Sequence, residues 1–131
     1  MHVAVVGASG FLGGAVLDAL LALGVTCTAI SRRPPVLAGS SMRVAAADLL
    51  DPAALTAALA GVDVIVHAAS YTGSDEAGSE RINVLGTRNL VEAAAGHRID
   101  RILYLSTIGS MAPGRTGTSP RGNSHRTRSL R

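Results

Sequence analysis

A five-residue apolar run, His2 to Val6, passes directly into Gly7-Ala8-Ser9-Gly10-Phe11-Leu12-Gly13-Gly14 and then into a helical apolar pattern. Gly7, Gly10 and Gly13 thus carry the spacing G-x-x-G-x-x-G between a strand and a helix. Each glycine has a mechanical task in that setting. The first permits a tight turn, the second lets backbone amides approach a pyrophosphate, and the third lets helix and strand pack closely, while the positive end of the helix favours the anion. Glycine triplets also arise at ordinary turns of alanine-rich chains. The strand-loop-helix context is what favours the binding reading, with Phe11 and Leu12 carried in the same loop.

The rest of the chain alternates short Val/Ile/Ala runs with longer helical stretches, the pattern of a parallel α/β sheet. Strands are predicted at His2 to Val6, Thr26 to Ile30, Met42 to Ala46, Asp63 to Val66 and Arg101 to Leu105, and their nearly unbroken apolar character suits strands covered on both faces. The first helix is predicted from Phe11 to Leu23, with Leu12, Val16, Ala19, Leu20 and Leu23 inward and Gly24 as a left-handed cap. Asp51 and Pro52 start the second, which buries Leu55, Ala58 and Leu59 and stops at Gly61. The third, Arg81 to Ala95, is expected to bury Ile82, Leu85, Leu90 and Ala94. Right-handed crossovers then give a Rossmann-type doubly wound parallel sheet of order 3-2-1-4-5.

At 131 residues the chain fits one domain. With 47% hydrophobic but only 2% aromatic residues, aliphatic side chains must fill the core, and no aromatic platform exists for stacking nucleic-acid bases. Cys27 stands alone in an apolar run, which excludes an internal disulfide and suits a buried small residue in a reducing cytoplasm. No signal peptide is evident, and the longest membrane candidate, Ala15 to Leu23, is broken by Asp18 and far shorter than the roughly 20 residues a bilayer requires. The expectation is a soluble, cytoplasmic protein with no membrane partner.

All nine acidic residues lie at or before Asp100, whereas Arg115, Arg121, Arg126, Arg128 and Arg131 crowd the end, so the net charge of +3 belongs to the last twenty residues. The last eighteen residues contain one aliphatic side chain and cannot build a core. A folded domain over 1–111 and a basic, disordered tail over 112–131 are therefore predicted. Five arginines without aromatics give only nonspecific, salt-sensitive attraction to nucleic acid.

Ser31-Arg32-Arg33 closes the second strand about 20 residues beyond the glycine loop, where a carboxylate would bind the ribose hydroxyls of NAD. Two guanidiniums stand there instead. Arginine forks onto a 2′-phosphate, and no acid lies between Asp18 and Asp48 to repel it, so NADP is favoured over NAD. Asp48-Leu49 follows the third strand. Its carboxylate either accepts from an adenine amino group or simply turns the chain before the Asp51 cap. His67-Ala68-Ala69 follows the fourth strand, where small residues let backbone run beside a cofactor. His67 itself reads as a packed histidine, since neither a triad nor a metal cluster accompanies it.

These motifs, G-A-S-G-F-L-G at Gly7 to Gly13, D-L at Asp48-Leu49, H-A-A at His67 to Ala69, N-V-L-G-T at Asn83 to Thr87 and L-S-T at Leu105 to Thr107, together resemble the extended short-chain dehydrogenase/reductase superfamily, the NAD-dependent epimerase/dehydratase group. The resemblance covers residues 1 to about 111. It implies that Asn83 holds backbone and water behind the site. It also implies that Thr107 is the hydroxyl that polarises a small-molecule substrate's carbonyl or hydroxyl beside the nicotinamide, with Ser106 nearer the cofactor.

The departures are chemical. The family's general acid is the tyrosine of Tyr-x-x-x-Lys, yet all twelve basic residues here are arginines and the only tyrosines, Tyr71 and Tyr104, lie in other places. Ser110-Met111-Ala112 stands where Val-Tyr-Gly is expected. The resemblance therefore implies a chain truncated before the remaining strands and the substrate domain, able to bind a dinucleotide but inactive alone. A non-catalytic NADP-binding or sensing module and a frameshifted gene fragment are the alternatives. The substrate and the oligomeric state are left open.

Overall fold

The computed structural model describes residues 1–34 and 41–106. Thr107 and the predicted tail at 112–131 lie outside them. Five parallel strands, β1 (His2–Val6), β2 (Thr26–Ser31), β3 (Met42–Ala46), β4 (Val64–His67) and β5 (Arg101–Tyr104), form one sheet in the order β3-β2-β1-β4-β5. Both the strands and their order match the sequence reading to within a residue at each end. The registers, Val6 opposite Ile30 and His67, and Ser31 opposite Ala46, align the carboxyl ends of β1, β2, β3 and β4 at one rim.

Two apolar layers sandwich the sheet. On one side Ala4, Val6, Ile30 and Ile65 meet Leu55, Leu59 and Leu90; on the other Val5, Cys27 and Ala29 meet Leu17 and Ala8. Cys27 is buried, and burial raises its thiol pKa. The continuous apolar cover holds only at the centre, because β3 and β5 are edge strands. Val44, Ile102, Leu103 and Tyr104 are all exposed, which corrects the expectation of strands covered on both faces. No helix among the described residues is long and apolar enough to cross a membrane.

Helix α1 (Phe11–Ala22) is turned from the predicted face: Val16 and Leu20 pack against the core as expected, but Gly13 and Leu17 are the buried residues, and Leu12 and Leu23 are exposed. The rotation follows from the loop. A Cβ on Gly13 would lie 2.7 Å from the carbonyl carbon of Gly7, so Gly13 must be the point of contact, and the residue one turn later, Leu17, follows it onto the sheet. Helix α2 (Pro52–Ala58) matches its prediction. Asp51 accepts the Ala54 N–H at 3.0 Å, and Leu55, Ala58 and Leu59 are buried.

The third helical region begins five residues before its predicted start. It comprises α3 (Glu76–Ser79), a π-helical segment (Glu80–Gly86) and α4 (Thr87–Ala95). Asp75 caps the start by accepting the Gly78 N–H. The wider π turn shifts the phase of the buried face. Gly86 takes the inward position against Leu49, Leu90 and Ala94 stay buried as expected, and Leu85 is exposed, contrary to the 3.6-residue pattern.

Candidate functional site

A cavity of about 540 Å³ opens at the carboxyl rim of the sheet, between the glycine loop, the ends of β2 and β3, the loop after β4 and the π-helical segment. Its floor is backbone. Gly7 has φ +88° and donates to the Ile30 carbonyl at 2.8 Å, and Gly10 donates to the Gly7 carbonyl at 3.0 Å. A Cβ on Gly7 would come within 2.6 Å of the Ala69 amide nitrogen, so the loop and the Ala68-Ala69 strand end approach each other as only glycine permits. Gly10 is the N-cap of α1 and offers no side-chain acceptor, and the first turn contains no acid. The opening amides of α1 therefore receive no side-chain cap from their own helix.

On the β2 side stand Ser31 and Arg32. Ser31 is buried, and its hydroxyl has no hydrogen-bond partner. Asp48 closes the neighbouring wall; its Oδ1 accepts the Leu50 N–H at 2.9 Å and its carbonyl accepts from Asp51 at 3.0 Å. The turn role that the sequence raised is thus present, in a residue that also lines the cavity. Leu49 packs below, its carbonyl held at 2.9 Å by the Asn89 side chain, a tie that sequence reading missed because nothing local marks it.

Of the residues singled out from sequence, the structure brings Gly7, Gly10, Ser31, Arg32, Asp48, Leu49, Ala68 and Ala69 to the cavity wall. Gly13 lies beneath the loop. Phe11 and Leu12 point to solvent, and Arg33 is exposed outside the lining. Asn83 does not line the cavity either. Its Oδ1 accepts the Tyr71 N–H at 2.8 Å, and its amide donates to the Tyr71 carbonyl and Ser79 Oγ, both at 3.2 Å, so it holds the loop that forms the wall. Ser106 is exposed just beyond β5.

Among the wall residues that sequence reading did not single out are Tyr71, Gly78 and Arg81. The Tyr71 hydroxyl donates to Asp75 Oδ2, and that bond raises the phenol's pKa while holding the Asp75 carboxyl below its usual range. His67 is buried. It lies 3.0 Å from Thr87 Oγ1 and 5.1 Å, centroid to centroid, from the Tyr104 ring, with Nδ1 unpartnered, and burial pushes its pKa down. It is a core histidine, as expected. No cluster of metal-ligating side chains occurs among the described residues.

A parallel sheet of this order, with a glycine cradle at the carboxyl ends of β1 and β4, defines a Rossmann-type domain. The model of the NAD dependent epimerase/dehydratase family matches residues 3–130, and the chain belongs to that family. It is similar to a 4-hydroxy-2-methyl-3-oxo-4-farnesyl-3,4-dihydroquinoline-1-oxide ketoreductase from Stigmatella aurantiaca, with 36% identity over 88% of this chain and 36% of that protein. A 2-alkyl-3-oxoalkanoate reductase from Shewanella oneidensis is 33% identical over 81% of this chain and 28% of its own length. Among solved structures, a uronate dehydrogenase variant from Agrobacterium tumefaciens complexed with NAD superposes with a TM-score of 0.74 at 30% identity, over 81% of this chain and 40% of that one. The chain spans about a third of the length of these two curated relatives.

Proposed function

We propose that this chain is the cofactor-binding portion of an NADP-preferring oxidoreductase of the extended short-chain type, and that alone it binds the dinucleotide without turning a substrate over. The observation that carries the reading is the cradle that a Cβ would fill: Gly7 against Ala69, and Gly13 against Gly7, with uncapped helix amides above them. The orphaned Ser31 hydroxyl supplies a second argument of fit, since a buried donor without a partner is costly until a ligand satisfies it. Gly7, Gly10 and the start of α1 with Phe11, Leu12 and Gly13 would receive the pyrophosphate. Ser31 and Arg32, with Arg33 nearby, would receive the 2′-phosphate, Asp48 and Leu49 the adenine, and Ala68 and Ala69 the remainder, with Asn83 supporting them.

When bound, the nicotinamide supplies a hydride donor or acceptor. The ketoreductase and oxoalkanoate reductase names among the relatives make a ketone and its alcohol the favoured substrate couple. Thr107, with Ser106 behind it, is the proposed hydroxyl that orients the substrate oxygen. A tyrosine-lysine pair to move the proton cannot come from these 131 residues, which contain no lysine.

Two measurements test the proposal together. NADPH mixed with a panel of ketones and sugar nucleotides is expected to stay unoxidised, and NADPH affinity is expected to collapse in Arg32→Glu while NADH affinity holds. Thr107-dependent turnover by the wild type overturns the first half; equal affinity for both cofactors overturns the second.

A further inference from the structure

Two arginines, not one, line the cavity. Arg32 follows the end of β2, and Arg81 comes from the π-helical segment that follows β4 in the chain. Neither forms an ion pair among the described residues, where the one salt bridge joins the N-terminus to Asp63. Asp48 is the sole carboxylate on the cavity wall, and one of its oxygens is already bound to a backbone amide.

The π turn explains how Arg81 gets there. Gly86 faces the core, packed on Leu49. In an α-helix the residue stacked one turn before it would be Ile82, and Arg81 would swing toward solvent. A five-residue span brings both onto that side, and both line the cavity. The same segment carries Asn83, whose three bonds to Tyr71 and Ser79 fix its rotation.

We propose that Arg81 is a second cation for the 2′-phosphate of NADP, closing on it together with Arg32 and the Ser31 hydroxyl. This deepens the dinucleotide reading above and rests on it. The pyrophosphate has backbone amides of its own at the glycine loop, so it does not require these side chains. A monoester phosphate adds close to two further charges at neutral pH, which two unpaired guanidiniums and one unpartnered buried hydroxyl match.

The test is titration of the full chain and of its Arg81→Gln, Arg32→Gln and double variants with NADPH, NADH, 2′,5′-ADP and 5′-AMP. Arg81→Gln is expected to weaken NADPH and 2′,5′-ADP about tenfold, the loss of one charged hydrogen bond, while NADH and 5′-AMP keep their affinity and so certify the fold. The double variant is expected to lose less than the product of the single losses, because both cations share one phosphate. Equal weakening of NADH and NADPH would move Arg81 to a part common to both and overturn the assignment, as would no change in either. A wild type that binds neither dinucleotide overturns the assignment and the underlying reading together.

Discussion

The two walls of the cavity are made in different ways. The glycine-loop wall is backbone against backbone: Gly7, Gly13 and Ala69 touch with no side chain between them. The wall opposite, from Tyr71 to Arg81, is side chain against backbone, with Asn83 clasping Tyr71, Asp75 capping Gly78 and Arg81 among the lining residues. A backbone wall cannot adapt, since any added atom displaces the main chain, and it suits the pyrophosphate that all dinucleotides share. A side-chain wall can lose a member and relax, so it is where selectivity between cofactors is best placed.

Gly13→Ala should give the largest effect. Its Cβ has no room beside Gly7, so overpacking is expected to cost about 3 kcal/mol, seen as a fall in Tm of at least about 10 °C, with dinucleotide affinity lost. Retained affinity would break the contrast between the walls. Asn83→Ala comes next. Removing the bonds to Tyr71 is expected to cost about 2 kcal/mol in denaturant unfolding and to speed proteolysis in the 70–80 loop, yet to change NADPH affinity by no more than about threefold. The smallest effect is that of pH. Burial lowers the His67 pKa, so the unfolded chain binds its proton more tightly than the folded one. The contribution of neutral His67 is complete above the usual value of 6.5 and is lost as pH falls through the lower folded value. Thermal melts from pH 7.5 to 5 should show that decline, and His67→Gln should flatten it.

The sequence exposed the backbone wall because its requirements are local. Glycines at fixed spacing, the Asp51-Pro52 start and the Gly24 and Gly61 stops, both at positive φ, each mark a geometry that few residues adopt. Strand order followed from crossover handedness. What stayed hidden depended on distant contacts. The face of α1 was set by Gly13 meeting Gly7 rather than by the apolar count, and Leu85 turned outward because a π turn changed the helical phase. Arg81 became a wall residue for the same reason, Tyr71 is held by Asn83 twelve positions on, and the Asn89 tie to Leu49 spans forty positions. Edge exposure of β3 and β5 was read only from the assembled sheet, since a single arginine in each, Arg43 and Arg101, is the one local sign that sets them apart from the centre.

The most direct test of the central claim is calorimetric titration of the wild-type chain with NADPH and then NADH at fixed ionic strength. One saturable site per chain, tighter for NADPH than for NADH, is the predicted result. No heat of binding with either dinucleotide, from protein whose circular dichroism reports an intact α/β fold, would contradict the account at its root.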